Sequence, residues 1–250
     1  DVKPGVLQAA PAAAPPPAQA PPGEGSRTPH ILLILVDDMG YADLGANRDA
    51  DSESSLTPHL DAFAAQGVRF TRHYVDSTCA ATRAGILTGT TPIARGFRPA
   101  GLGISPEMET LPERLQSLGY STHHVGKWHL NTDAPLDPAK YGLDVFHHGP
   151  EKPLGDFRTD IEERNGQDQK LARAAIHFMR EHRQQPFYLQ LWFTVPHSPV
   201  RPSADELEVY RDLEPSLDDF QGFTREYLAT RRNLRQEMRA WCAQITGHDK

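Results

Sequence analysis

The sequence contains only two cysteines, Cys79 and Cys242, and neither belongs to a CxxC pair. That excludes a disulfide framework and a cysteine-based structural zinc site, and leaves open at most one bridge between the two. Long apolar runs are also missing. The longest, Ile31 to Val36, has the length of a buried strand and falls far short of a bilayer span. No basic block occurs: 33 acidic and 26 basic residues are scattered along the chain for a net charge of -7, so nucleic acid is not an expected partner.

What the chain does have is a hydrophobic fraction of 38% over 250 residues, enough to fill a sizeable core in one large α/β domain or two small ones. Residues 1–29 stand apart. They are dominated by Ala and Pro, as in APAAAPPPAQAPP, a composition with nothing to bury that stays extended and solvated. This reads as a disordered leader or linker. A tether or processed leader remnant of this kind suits export to the periplasm or the extracellular space.

From His30 to Val36, HILLILV is apolar on both faces, as expected of a central strand in a parallel sheet. Thr57 as N-cap and Pro58 at the first helical position predict a helix that buries Leu60, Phe63 and Ala64 and closes at Gly67. VRFTRHYV, from Val68 to Val75, reads as a strand, and Cys79 opens a helix that ends near Gly89. Thr110 and Glu113 form a capping-box pattern ahead of Leu111, Leu115 and Leu118, followed by a strand from Tyr120 to Val125. Leu171, Ala174, Ala175, Phe178 and His182 mark a helix, and FYLQLWFT from Phe187 to Thr194 another buried strand. A last helix carries Leu234, Met238, Trp241, Cys242 and Ile245 on one face, and the chain stops at Lys250 with no cap or further strand, as expected of a C-terminal truncation.

Alternating strands and helices predict a doubly wound, mostly parallel central sheet with helices on both faces, whose ligands bind beyond the carboxyl ends of the strands. Polar chemistry falls at four such ends: Asp37 and Asp38, Cys79, Lys127 with His129, and His197. Adjacent carboxylates offer hard oxygen ligands, which suit Ca²⁺ or Mg²⁺ better than a soft transition metal. A cysteine at a helix start has amide N–H groups facing whatever it carries. The pairs His123–His124 and His147–His148 are assigned to packing or surface.

CAATR, from Cys79 to Arg83, resembles the sulfatase signature that directs oxidation of its cysteine to formylglycine (3-oxoalanine), and RAGILTG resembles its continuation. HILLILVDDMGYADLG, TPHLDAFAAQGVRFTRHYV, LPERLQSLGYSTHHVGKWHL and PFYLQLWFTVPHSPV resemble further blocks of that family, in its order, over about residues 30–200. The resemblance implies an alkaline-phosphatase-like fold, with residues 30–250 an incomplete N-terminal catalytic domain. It also implies a sulfuric ester hydrolase of the arylsulfatase type acting on aryl or carbohydrate sulfates.

By the same resemblance, Asp37, Asp38 and the modified Cys79 hold Ca²⁺, with Mg²⁺ the second choice, and a formylglycine-generating maturase is a partner. The hydrated aldehyde supplies the oxygen that attacks sulfur, and Arg83 holds that group in place. Lys127 and His129, two apart on an extended segment, donate to the sulfate oxygens, while His197 protonates the leaving alcohol.

The match departs from the pattern at Ala81, where the signature usually has proline, and no second metal pair or second sulfate-binding lysine precedes Lys250. Two rival readings stand beside it: a phosphonate or phosphate ester hydrolase of the same superfamily, and a non-catalytic module that binds sulfated glycans with Cys79 unmodified.

Overall fold

The computed structural model describes residues 28–48, 56–91, 104–105, 107–130, 137–147, 167–197, 200–219, 222–231 and 233–249. Most of the Ala/Pro-rich leader, His148 and the side chain of His147 lie outside these residues. Four strands are described: β1 (Ile31–Asp37), β2 (Ser121–Gly126), β3 (Val145–His147) and β4 (Phe187–Pro196). The helices are α1 (Pro58–Ala65), α2 (Cys79–Thr88), α3 (Leu111–Ser117), α4 (Gln167–Glu181), α5 (Ala204–Val209), α6 (Gly222–Ala229) and α7 (Leu234–Asp249).

The strands form one sheet in the order β1-β4-β2-β3, and every pairing is parallel. The two faces follow from the period of two along β4. Phe187, Leu189, Leu191 and Phe193 pack with Val125 of β2 and with Leu171 and Ala175 of α4. Trp192, between them in sequence, packs on the other face with Trp128, Tyr141 and with Ala84 and Leu87 of α2. Helices thus cover both faces, the doubly wound arrangement expected of buried, continuously apolar parallel strands.

The capping box forms as expected: Glu113 N–H donates to Thr110 Oγ1 at 3.4 Å and Thr110 N–H donates to Glu113 Oε2 at 2.7 Å. The cap of α1 does not. Thr57 Oγ1 instead accepts from Gly45 N–H at 2.8 Å and donates to Asp61 Oδ1 at 3.0 Å. Asp249, at the end of α7, accepts from His59 N–H at 2.9 Å and Leu60 N–H at 2.8 Å, so a distant carboxylate satisfies the first turn.

Three expectations need correction. β1 is the end strand of the described sheet rather than a central one, and Leu32 and Ile34 on one of its faces are 41% and 47% exposed. Residues 68–75 form no strand, and Val68, Phe70, Tyr74 and Val75 are exposed: strand propensity is realised only against a partner, and no ladder forms there among the described residues. Phe63 points to solvent rather than into the core. Helix α4 begins at Gln167, a turn earlier than the apolar pattern marks, and both Cys79 and Cys242 are free thiols.

Candidate active site

Three strand ends and one helix start converge at the carboxyl edge of the sheet. β1 delivers the buried Asp37 and then turns at Asp38, whose φ of 68° lies in the left-handed region that Asp tolerates better than most residues. β2 ends at Gly126, φ 107°, where any Cβ would collide with the Trp192 carbonyl. That close approach lets Lys127 N–H donate to Trp192 O at 2.8 Å and sends Lys127, Trp128 and His129 across the strand ends. Cys79 opens α2, which stops at Gly89 in the left-handed conformation of a helix terminator. The site therefore draws on three strand ends rather than four, because residues 68–75 reach Cys79 without forming a strand.

Asp37 is the hub. Its Oδ1 accepts from Arg83 Nη2 at 3.2 Å and its Oδ2 from Lys127 Nζ in a short contact. Arg83 Nη1 also donates to Lys127 O at 2.9 Å, and its guanidinium lies 4.9 Å over the Trp192 ring. Lys127 Nζ reaches Cys79 Sγ at 3.9 Å, and Cys79 Sγ lies 3.1 Å from His129 Nδ1. His197 Nε2 stands 3.7 Å from Asp38 Oδ2, both partly exposed.

One buried carboxylate thus faces two buried cations, and the partly exposed Asp38 is the second acid of the site. Burial pulls the Arg83 guanidinium below its ordinary value and Asp37 opposes that pull. Burial, then the Lys127 and Arg83 cations, hold the His129 imidazole below the ordinary histidine range, so its neutral form is favoured. A neutral ring beside a sulfur and two cations can give or take a proton where an anionic group sits.

All seven residues singled out in the sequence meet here: Asp37, Asp38, Cys79, Arg83, Lys127, His129 and His197. Two supports were missed. His124 was assigned to packing, and it does pack against Trp128, Trp192 and Phe146, but its Nε2 also lies 3.0 Å from Gly126 O and fixes the end of β2. Asp168 binds the end of β4, accepting from Thr194 N–H and Val195 N–H. Its only sequence signal is an acid in a helix's first turn, and the apolar period marked that turn as lying before the helix.

Asp37 and Asp38 suit a hard dication in donor chemistry. They supply two carboxylates, and among the described residues no cluster of three or more His, Cys, Asp or Glu side chains is placed to hold a metal ion.

A doubly wound parallel sheet with an acid pair, a helix-starting cysteine and clustered cations at one edge defines an alkaline-phosphatase-like α/β protein. The family model described as Sulfatase matches residues 29–246, and the chain belongs to the sulfatase family. It is 32% identical over 240 residues to mouse (Mus musculus) N-acetylgalactosamine-6-sulfatase, covering 78% of this chain and 46% of that protein. To Arylsulfatase G of the dog (Canis lupus familiaris) it is 41% identical over 133 residues, covering 50% of this chain and 24% of that one. The crystal structure of the PsFucS1 sulfatase from Pseudoalteromonas sp. shares the fold at a TM-score of 0.62 and 22% identity, covering 88% of this chain and 51% of that one. The chain thus spans about half the length, or less, of the curated relatives it matches.

Proposed function

We propose that residues 30–250 form the amino-terminal part of the catalytic domain of a sulfatase that hydrolyses aryl or carbohydrate sulfate esters, with residues 1–29 a leader or linker outside it. The observation that carries this reading is the single contact network of Asp37, Arg83, Lys127, Cys79 and His129, drawn from segments up to 92 positions apart. Two fixed cations beside a nucleophile's position offer donors to the oxygens of a tetrahedral dianion.

In this reading Arg83 and Lys127 hold the sulfate oxygens and the group at position 79, and their attachment to Asp37 fixes both cations before substrate arrives. His129, held neutral, exchanges a proton with the group at position 79. His197, at the open side of the site, gives a proton to the departing alcohol. Asp37, Asp38 and the modified group at position 79 would hold Ca²⁺ in preference to Mg²⁺. Formylglycine at position 79 would supply an aldehyde hydrate as nucleophile, and the cation a Lewis acid. A maturase is the partner that oxidises Cys79, and the periplasm or extracellular space is the compartment. No helix among the described residues is long and apolar enough to cross a membrane.

The test is intact-mass spectrometry after co-expression with a formylglycine-generating maturase: conversion of the thiol to the aldehyde lowers the mass by about 18 Da and maps to Cys79. An unchanged mass sinks the catalytic reading and leaves a sulfate-binding module. For the converted protein, faster turnover of an aryl phosphonate than of an aryl sulfate overturns the substrate class.

A further inference from the structure

The end of β4 breaks step with its neighbour. β1 and β4 pair residue for residue from Ile31 opposite Tyr188 to Leu35 opposite Trp192, and then Asp37 falls opposite Pro196. β1 advances two residues while β4 advances four, so β4 carries a bulge of two extra residues immediately before His197. A bulge takes backbone groups out of the ladder and re-aims the chain that follows it, and each freed N–H needs an acceptor.

Asp168 supplies both acceptors. Thr194 N–H donates to its Oδ1 at 3.3 Å and Val195 N–H to its Oδ2 at 3.0 Å. The carboxylate is buried, at 8% exposure, in the first turn of α4, where the helix dipole favours negative charge. The 194–195 peptide, which donates through Val195 N–H, is held at its carbonyl by His197: Thr194 O accepts from His197 N–H at 3.2 Å. Asp168, the 194–195 peptide and His197 therefore form one chain of hydrogen bonds, and at its end His197 stands 3.7 Å from Asp38.

We propose that Asp168 is the positioning residue of His197: its carboxylate takes the place of the ladder at the bulge and sets where the 194–197 turn presents the imidazole. The proposal rests on the reading of His197 as a site residue, but not on the fate of Cys79. An unconverted thiol would sink the sulfatase chemistry and leave this arrangement standing.

The test is amide hydrogen exchange of the full chain, combined with histidine ring signals by NMR at fixed pH. In the unsubstituted protein the Thr194 and Val195 amides are expected to be protected like those of the paired part of β4. Asp168→Asn keeps the shape, loses the charge and turns one donor toward another donor. Protection at Thr194, Val195 and His197 should then fall by about tenfold to a hundredfold, the weight of charge-assisted hydrogen bonds. The His197 ring signals should move further than those of His129, which follows the end of β2, a pattern that general loosening would not produce. Unprotected amides in the parent, or equal movement of His197 and His129, overturns the proposal. Should Asp168→Asn fail to fold, Asp168→Glu is read in its place. It keeps both acceptor oxygens, so protection retained at the three amides with a displaced His197 signal supports the proposal, and an unmoved signal overturns it.

Discussion

β1 and β4 are written in the same style and live in different surroundings. ILLILVD and FYLQLWFTVP are both apolar along nearly their whole length, and both end at residues of the candidate site. β4 lies between β1 and β2, and its residues from Phe187 to Phe193 are all buried, with Phe187, Leu189, Leu191 and Phe193 against α4 and Trp192 against α2 on the other face. β1 lies at the end of the described sheet with one face partly open. A continuous apolar run thus specifies a strand that seeks cover on both faces, but the cover comes from other parts of the chain, and the run itself cannot say whether they are there.

The largest effect expected from this contrast is at Trp192. Its ring is fully buried, lies 6.0 Å from and nearly parallel to that of Trp128, and carries the Arg83 guanidinium above it. Trp192→Ala opens a cavity in the core under the site and should cost about 3–5 kcal/mol, measured by urea unfolding. The substitution also removes the ring beneath Arg83, which is then held by Asp37 and the Lys127 carbonyl alone among the contacts described. A cost no larger than that of a substitution on the open face of β1 would break the comparison.

A second difference between inner and outer strands is chemical. β2 buries a titratable ring, His123, 4% exposed, which lies tilted against Phe178 and faces His182 just past the end of α4, Ser121 at 2.7 Å from its Nε2, and Asp144. Burial first, and the His182 neighbour second, push its pKa from 6.5 down to about 4 against the opposing pull of Asp144. The folded state therefore keeps the ring neutral while the unfolded chain takes up a proton below pH 6.5. Stability should fall as pH drops from about 6.5 to about 4 and level off below, by about 3 kcal/mol at full extent. Replacing the ring in His123→Leu should flatten that part of the stability–pH curve, and an unchanged slope would show that another group carries it.

What was legible in the sequence follows the same division. The parallel α/β class and the α3 capping box could be read because each depends on a local pattern, a period of two and a Thr and Glu three apart. Asp37, Asp38, Cys79, Lys127, His129 and His197 could be picked out as polar residues at the ends of elements, and Arg83 only by the resemblance of CAATR to a known signature. The misses all depend on a distant partner. Among the described residues, 68–75 have strand composition but no ladder, Phe63 has helix spacing but no surface to meet, and Thr57 has the right chemistry to cap α1 while Asp249 holds that place. Asp168 belongs with them, since its function is defined by a bulge 26 residues further on, and nothing in the spacing around it announces that bulge.

The smallest effect, and the sharpest check of the contrast, is at Ile34. Its side chain is 47% exposed on the open face of β1, so truncation leaves no enclosed cavity and forfeits only part of a buried side chain's transfer energy. Ile34→Thr keeps the β-branch that suits an extended backbone and puts its hydroxyl where water can reach it. The expected cost is below about 1 kcal/mol in urea unfolding, with an unchanged dependence on denaturant. The matched change on β4, Leu189→Thr, sinks a hydroxyl into a fully buried cluster and should cost several-fold more. If instead Ile34→Thr proves as costly as Leu189→Thr, the face of β1 is covered in solution and the contrast between the two strands fails.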